Sequence, residues 1–196
     1  MHPIARILAI AYVALAVLAA LVYVVATANY VAVTDVQVRL GDSVRVSGVA
    51  LNWTGNRSDV AKVVVSMEVT NPGRVPIKVL NGAFLLYMED PNASDTRPWY
   101  DAGRLSESFV GAGSFNVGLQ DAPTVAPRET RTFVAVVTVE PGNPRMDTLD
   151  RPDAKGRFHP IVWGPSLVYA FLDFPIQDIV YMAPYFDAAG VFPSGP

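Results

Sequence analysis

No charged side chain occurs between Arg6 and Asp35, and the stretch from Ile7 to Val25 is apolar throughout. No other feature constrains the chain so tightly. A helix of about 20 residues, rising ~1.5 Å per residue, spans the ~30 Å hydrocarbon layer of a bilayer. A run this long without a polar face makes a poor soluble helix. Arg6 and the amino terminus precede it, which favours a cytoplasmic N-terminus with the remaining chain outside. A cleavable signal peptide has the same outline, and Ala26-Thr27-Ala28 fits a small-residue cleavage site before Asn29. Signal cores are shorter, about 7–15 residues, so a retained anchor is the favoured reading. Either way the domain behind it is exported.

This divides the chain into a transmembrane anchor or uncleaved signal segment (residues 1–30), a β domain (31–174) and a Pro/aromatic tail (175–196). With 196 residues in all, the part after the anchor is long enough to bury a core of its own. The formal net charge is −3, and no basic face is available to neutralise phosphates, which excludes nucleic-acid binding. Cysteine is absent, which excludes disulfides, thiolate metal sites and cysteine nucleophiles.

After residue 30, two-residue alternation replaces helical periodicity. In Val60–Thr70 the positions Ala61, Val63, Val65, Met67 and Val69 are apolar, with Lys62, Ser66, Glu68 and Thr70 between them. Arg131–Glu140 repeats the pattern through Phe133, Ala135, Val137 and Val139. Both predict strands with one face in a core and one in water. Val31–Leu40 and Ser43–Leu51 read as a strand pair turning at Gly41-Asp42. Val75–Leu80 and Ala83–Met88 flank Asn81-Gly82, which is either a tight turn or a bulge in one long strand. Leu105–Val110 and Ser114–Leu119 alternate around Gly111-Ala112-Gly113. Ile161–Phe171 reads as a final strand, and Pro141–Pro160 as a long surface loop. The tail either packs across the sheets or serves as a contact surface. Seven or eight short strands predict an all-β sandwich of Ig-like or fibronectin-like type behind one transmembrane helix.

Asn71, Pro72, Pro76 and Ile77 lie in Val69-Thr70-Asn71-Pro72-Gly73-Arg74-Val75-Pro76-Ile77, between an alternating strand and an apolar one. This resembles the N-P-x-x-x-P-I segment of the group 2 late embryogenesis abundant proteins, the WHy (water stress and hypersensitive response) domain. Val125-Ala126-Pro127-Arg128-Glu129-Thr130 resembles the proline-containing turn leading into a later strand of that family. The resemblance covers roughly residues 35 to 140. It implies a small β-sandwich without catalytic residues, often anchored by one N-terminal helix, with a role in stress protection or at the cell surface.

Chemistry is sparse. The histidines are His2 and His159, so a nucleophile–base pair has one candidate base in the domain. No phosphate loop, dinucleotide fingerprint or serine elbow is present. The expectation is a non-enzyme without cofactor or metal. Asp147, Asp150 and Asp153 are spaced three apart and could wrap a hard cation. Their spacing is not that of an EF-hand, and Arg151, Lys155 and Arg157 offset their charge. A solvated loop is the plainer reading. Asn52, Asn56 and Asn92 begin N-x-S/T sequons in turn-like sequence, where N-glycosylation is tolerated; ordinary polar loops read the same way.

The partners expected are the membrane, through the single span, and a protein or surface polymer, with self-association as one form. In the alternative, cleavage releases a structural subunit of a surface filament or envelope, and Val31–Leu40 is donated as a strand to a neighbour.

Overall fold

The computed structural model describes residues 3–90, 102–172 and 176–186. Helix α1 runs unbroken over Pro3–Arg39, about 55 Å at helical rise. A 3-10 turn at Gly41–Ser43 then delivers the chain into the sheet. The strands are β1 (Val44–Asn52), β2 (Ala61–Thr70), β3 (Ile77–Met88), β4 (Phe109–Asn116), β5 (Thr124–Val125), β6 (Thr130–Val139), β7 (Pro160–Phe171), β8 (Gln177–Tyr181) and β9 (Tyr185–Phe186). Two short helices, α2 (Ala102–Ser108) and α3 (Met146–Leu149), lie in the connections.

All strand pairings are antiparallel, in the order β1-β2-β6-β4-β3-β7-β8, with β5 on β3 and β9 on β7. β4 and β6 meet at the single bridge Ser114–Val136. There the sheet curls, bringing the inner faces of its two parts together. The alternation of β2 and β6 works as read: Ala61, Val63, Val65, Met67 and Val69 are buried, as are Phe133, Ala135, Val137 and Val139. Across from them lie Val79, Phe84, Leu86, Val162, Leu167 and Tyr169.

Several expectations need correction. Val31–Arg39 is helix, not strand. Val33, Val36 and Leu40 are buried while Val38 is 73% exposed, a three- and four-residue spacing that puts one helical stripe into the core. An Asp35–Arg39 pair one turn apart (3.2 Å) supports the helix. The segment named for strand donation is therefore helical in the intact chain. Of the two readings of Asn81-Gly82, the bulge in one long strand holds: β3 passes through it with a bulge at Leu80 opposite β7. A Cβ on Gly82 would sit 2.4 Å from the Phe115 ring and 3.1 Å from Met67 Cε. Glycine is needed there to let the facing strands close.

Leu105–Ser108 belongs to α2, and the Gly111-Ala112-Gly113 run lies inside β4. Pro141–Pro160 is not wholly a surface loop: α3 drives Met146 and Leu149 into the core. Ile161–Phe171 is not the last strand, since β8 and β9 add to its two ends. The tail is thus partly sheet, and residues 187–196 lie outside the described residues.

Candidate functional site: the groove at the helix–domain junction

Strand directions give the domain two ends. β1 starts beside the end of α1, so the near end holds the β2–β3 turn, the β5–β6 turn and the finish of β7. The far end holds the β1–β2 loop, the end of β3 and the α3 loop. β1 has 9 residues, which puts the two ends about 30 Å apart.

Asn71 organises the near end. It is fully buried, and its side-chain amide donates to the carbonyls of Val75 (2.8 Å) and Val125 (3.0 Å). Its Oδ1 accepts the Gly73 N–H at 3.0 Å. Its backbone N–H donates to Glu129 O (3.0 Å), and its carbonyl accepts from Arg128 N (2.8 Å). One neutral amide therefore clasps together the two turns that carry the family resemblance. A buried amide stripped of such partners costs several kcal/mol, and here every group is met. Pro72 starts the turn with a fixed φ. Gly73 is buried under α1, where a Cβ would come 2.2 Å from Val36 Cγ2. Pro76 leads into Ile77, which is buried, and its carbonyl accepts from Leu172 N at 3.4 Å.

A second tie joins helix and sheet. Gln37 Nε2 donates to Asp178 Oδ2 on β8 (2.9 Å), and the Tyr169 hydroxyl reaches the same oxygen (3.4 Å). Burial, with the Asp178 carboxylate beside it, holds the Tyr169 phenol above its ordinary pKa.

Between α1 and the two clasped turns lies a groove of about 730 Å³. Tyr23, Thr27 and Val31 form its helix wall, and Gly73, Arg74 and Arg128 its turn wall. Asp35 and Arg39 sit at its upper rim and pair with each other. Arg74 and Arg128 are exposed and make no side-chain hydrogen bond or ion pair among the described residues. Arg128 also has φ +64°, a left-handed conformation unusual for a bulky side chain. Its neighbour Glu129 faces away, accepting from Ala126 N (2.7 Å) and Arg131 Nε (2.6 Å). The Arg131 guanidinium holds that carboxyl below its ordinary pKa. With the rim pair cancelling, the groove keeps the charge of Arg74 and Arg128 against an apolar helix face.

The far end collects the other sequence candidates and separates them. Asp147 and Asp150 both pair with Arg57, at 2.7 and 3.4 Å. Asp153 faces elsewhere: Oδ1 accepts Lys155 N (2.8 Å) and Arg157 N (2.9 Å). Its Oδ2 accepts Arg157 Nε (2.7 Å) and lies 3.1 Å from Nε2 of the buried His159. The Arg157 N–H leads the contacts that hold this carboxyl far below the usual range. The three aspartates do not converge, and no metal-holding group of three or more such side chains occurs among the described residues. Asn52 and Asn56 are exposed at the β1–β2 loop, where Asn56 Oδ1 accepts Ser58 N and Thr54 Oγ1 donates to Asp59. Asn92 lies outside the described residues.

Arg74 and Arg128 stand within the two motifs, and Asp35 and Arg39 within the expected Val31–Leu40 strand, so the sequence alone does not bring them together. The four-residue spacing of Asp35 and Arg39 was the available signal for helix, and hence for the groove.

No known family matches the chain, and no curated protein does. Among solved structures, a Northeast Structural Genomics Consortium target aligns over 80% of this chain and 94% of its own, at 10% identity and TM-score 0.44. A protein from Archaeoglobus fulgidus aligns over 74% of this chain and 99% of its own, at 13% identity and TM-score 0.39. A β-glucosidase from Erythrobacter marinus aligns over 72% of this chain but 15% of its own, at 16% identity and TM-score 0.28.

Proposed function

We propose that the chain is a non-catalytic module held at the outer face of a membrane by α1, with a WHy-like β-sandwich as its working part. The observation that carries this is the character of α1. It is long and apolar enough to cross a bilayer, and its apolar window is not buried at all within the fold. Apolar surface of that extent needs a partner, and a bilayer supplies one. Arg6 ahead of the span argues for a cytoplasmic N-terminus and an extracytoplasmic domain.

The Ig-like or fibronectin-like sandwich is supported by the curl, which leaves two sheet halves joined at one bridge. Membership of the WHy type is supported by Asn71, which gives the family-like asparagine a physical duty. A stress-protective or cell-surface role follows by analogy with that family. A non-catalytic role fits a domain whose buried histidine is tied to a loop aspartate away from the groove.

Alkaline extraction of native membranes, with intact-mass and N-terminal analysis of both fractions, tests the reading. A full-length chain retained in the pellet is expected. A chain starting at Asn29 in the released fraction would replace the anchor with a signal peptide.

A further inference from the structure

We propose that the junction groove binds the head group of an anionic phospholipid, with Arg74 and Arg128 on the phosphate and an acyl chain along the Tyr23–Val31 face of α1. This rests on the anchor reading, and three observations carry it beyond that.

The first is depth. If Ile7–Val25 fills the hydrocarbon layer, then Tyr23 lies just inside its outer edge and the helix from Val25 to Asp35 rises about 15 Å through the head groups. Tyr23 and Tyr30 are each 72% exposed, aromatic side chains at the level where a membrane–water boundary favours them. The groove opens along this stretch.

The second is charge. Arg74 and Arg128 come from turns far apart in sequence and are brought to one wall by Asn71. Guanidinium groups match phosphate geometry through paired N–H donors. At the far end, by contrast, Arg57, Arg151 and Arg157 all have carboxylate partners. Glu129, the nearest acid in sequence to Arg128, is turned onto Arg131.

The third is shape. The helix wall is largely apolar, through Tyr23, Val24, Ala28 and Val31, so a ligand that is anionic at one end and apolar along its length suits both walls. Arg128 holds a costly backbone conformation while its side chain lines this groove.

The test uses the full chain in mild detergent, titrated with phosphatidylglycerol and phosphatidylcholine and read by native mass spectrometry. Both lipids carry the phosphate, but choline offsets its charge in phosphatidylcholine, so two arginines at the head group should give about a thirtyfold preference for the net-anionic phosphatidylglycerol. The double variant R74Q/R128G should bring this within about twofold, while R57Q at the far end should leave it intact. Both groove side chains are exposed, and glycine suits the left-handed position, so thermal melting should show the double variant folded. An equal preference in wild type and double variant, or none in wild type, would overturn the lipid site. Inorganic phosphate probes the bare anion, and retention matching the lipid's would also overturn it. Alkaline extraction reports on the anchor separately. Release of the chain removes both readings, whereas retention without lipid preference removes the lipid site alone.

Discussion

The two ends of the β domain handle polar groups in opposite ways. At the far end, charges face one another: Arg57 bridges Asp147 and Asp150, Arg151 reaches Asp90 at 3.6 Å, and Asp153 is enclosed by its own loop. At the near end a neutral amide, Asn71, is buried with its partners, and two guanidiniums next to it are left outside. Surface ion pairs add little stability, about 0–1 kcal/mol each. A fully satisfied buried amide is costly to break. The near end is therefore where the fold is fastened, and the far end is where loops settle their own charge. Acidic spacing in sequence pointed to the far end, yet the groove and its two guanidiniums unpaired among the described residues, Arg74 and Arg128, lie at the near one.

The sharpest way to break this contrast is Asn71→Ala. It removes three side-chain hydrogen bonds from the buried clasp, to the Val75 and Val125 carbonyls and from the Gly73 N–H, at about 1–3 kcal/mol apiece. At ~2–4 °C per kcal/mol for a domain of this size, the melting temperature should fall by roughly 10 °C or more. A drop of only about 2 °C would mean the near end is fastened by something other than Asn71.

Gly73→Ala comes next. The added methyl meets Val36 Cγ2, and overpacking costs about 1–3 kcal/mol. Val36→Ala in the same chain should recover part of that loss, a coupling measurable by a double-mutant cycle of melting temperatures. Additive losses would show that α1 and the turn do not press on each other.

A smaller effect is expected from acid at the far end. The Asp153 carboxyl is held below its ordinary 3.8. Its ionised form thus contributes full stability well above pH 3.8 and loses it as pH falls toward the depressed folded value. Asp153→Asn should flatten the acid limb of stability against pH, followed by thermal melts between about pH 5 and 2. An unchanged limb would shift the acid sensitivity to other carboxylates.

The smallest effect should come from Arg57→Ala. Its partners are about half exposed, so the loss should stay below about 1 kcal/mol. A loss comparable to that of Asn71→Ala would erase the difference between the ends.

Much of the sheet was legible because β2 and β6 each bury one face and wet the other, which prints a period of two on the residues. The Asn71 turn was legible as a motif, though its duty depends on Val125 and Glu129, more than fifty residues away. Helix α1 past residue 30 was misread for a physical reason. Val31, Val33, Val36, Val38 and Leu40 satisfy both periods in part, and packing of Val33, Val36 and Leu40 against the domain decides between them. At Gly82 the sequence left a turn and a bulge open: Asn-Gly favours a hairpin locally, but the pressure of Phe115 and Met67 on the same spot selects glycine for its lack of a side chain, inside one bulged strand. The groove was invisible because it needs the helix end and both turns at once.

The unbroken course of α1 has a mechanical corollary. Val33, Val36 and Leu40 are locked in the core while the same helix continues downward without a joint. Membrane helices lean by about 20° on average. On the proposed anchor, with no hinge to absorb such a lean, the whole domain would swing as a mast on its keel. Over a height of about 30 Å, such a lean carries the glycan-bearing candidates Asn52 and Asn56 sideways by roughly 10 Å. Bilayer thickness, as one influence on that lean, would then steer what the far end can reach.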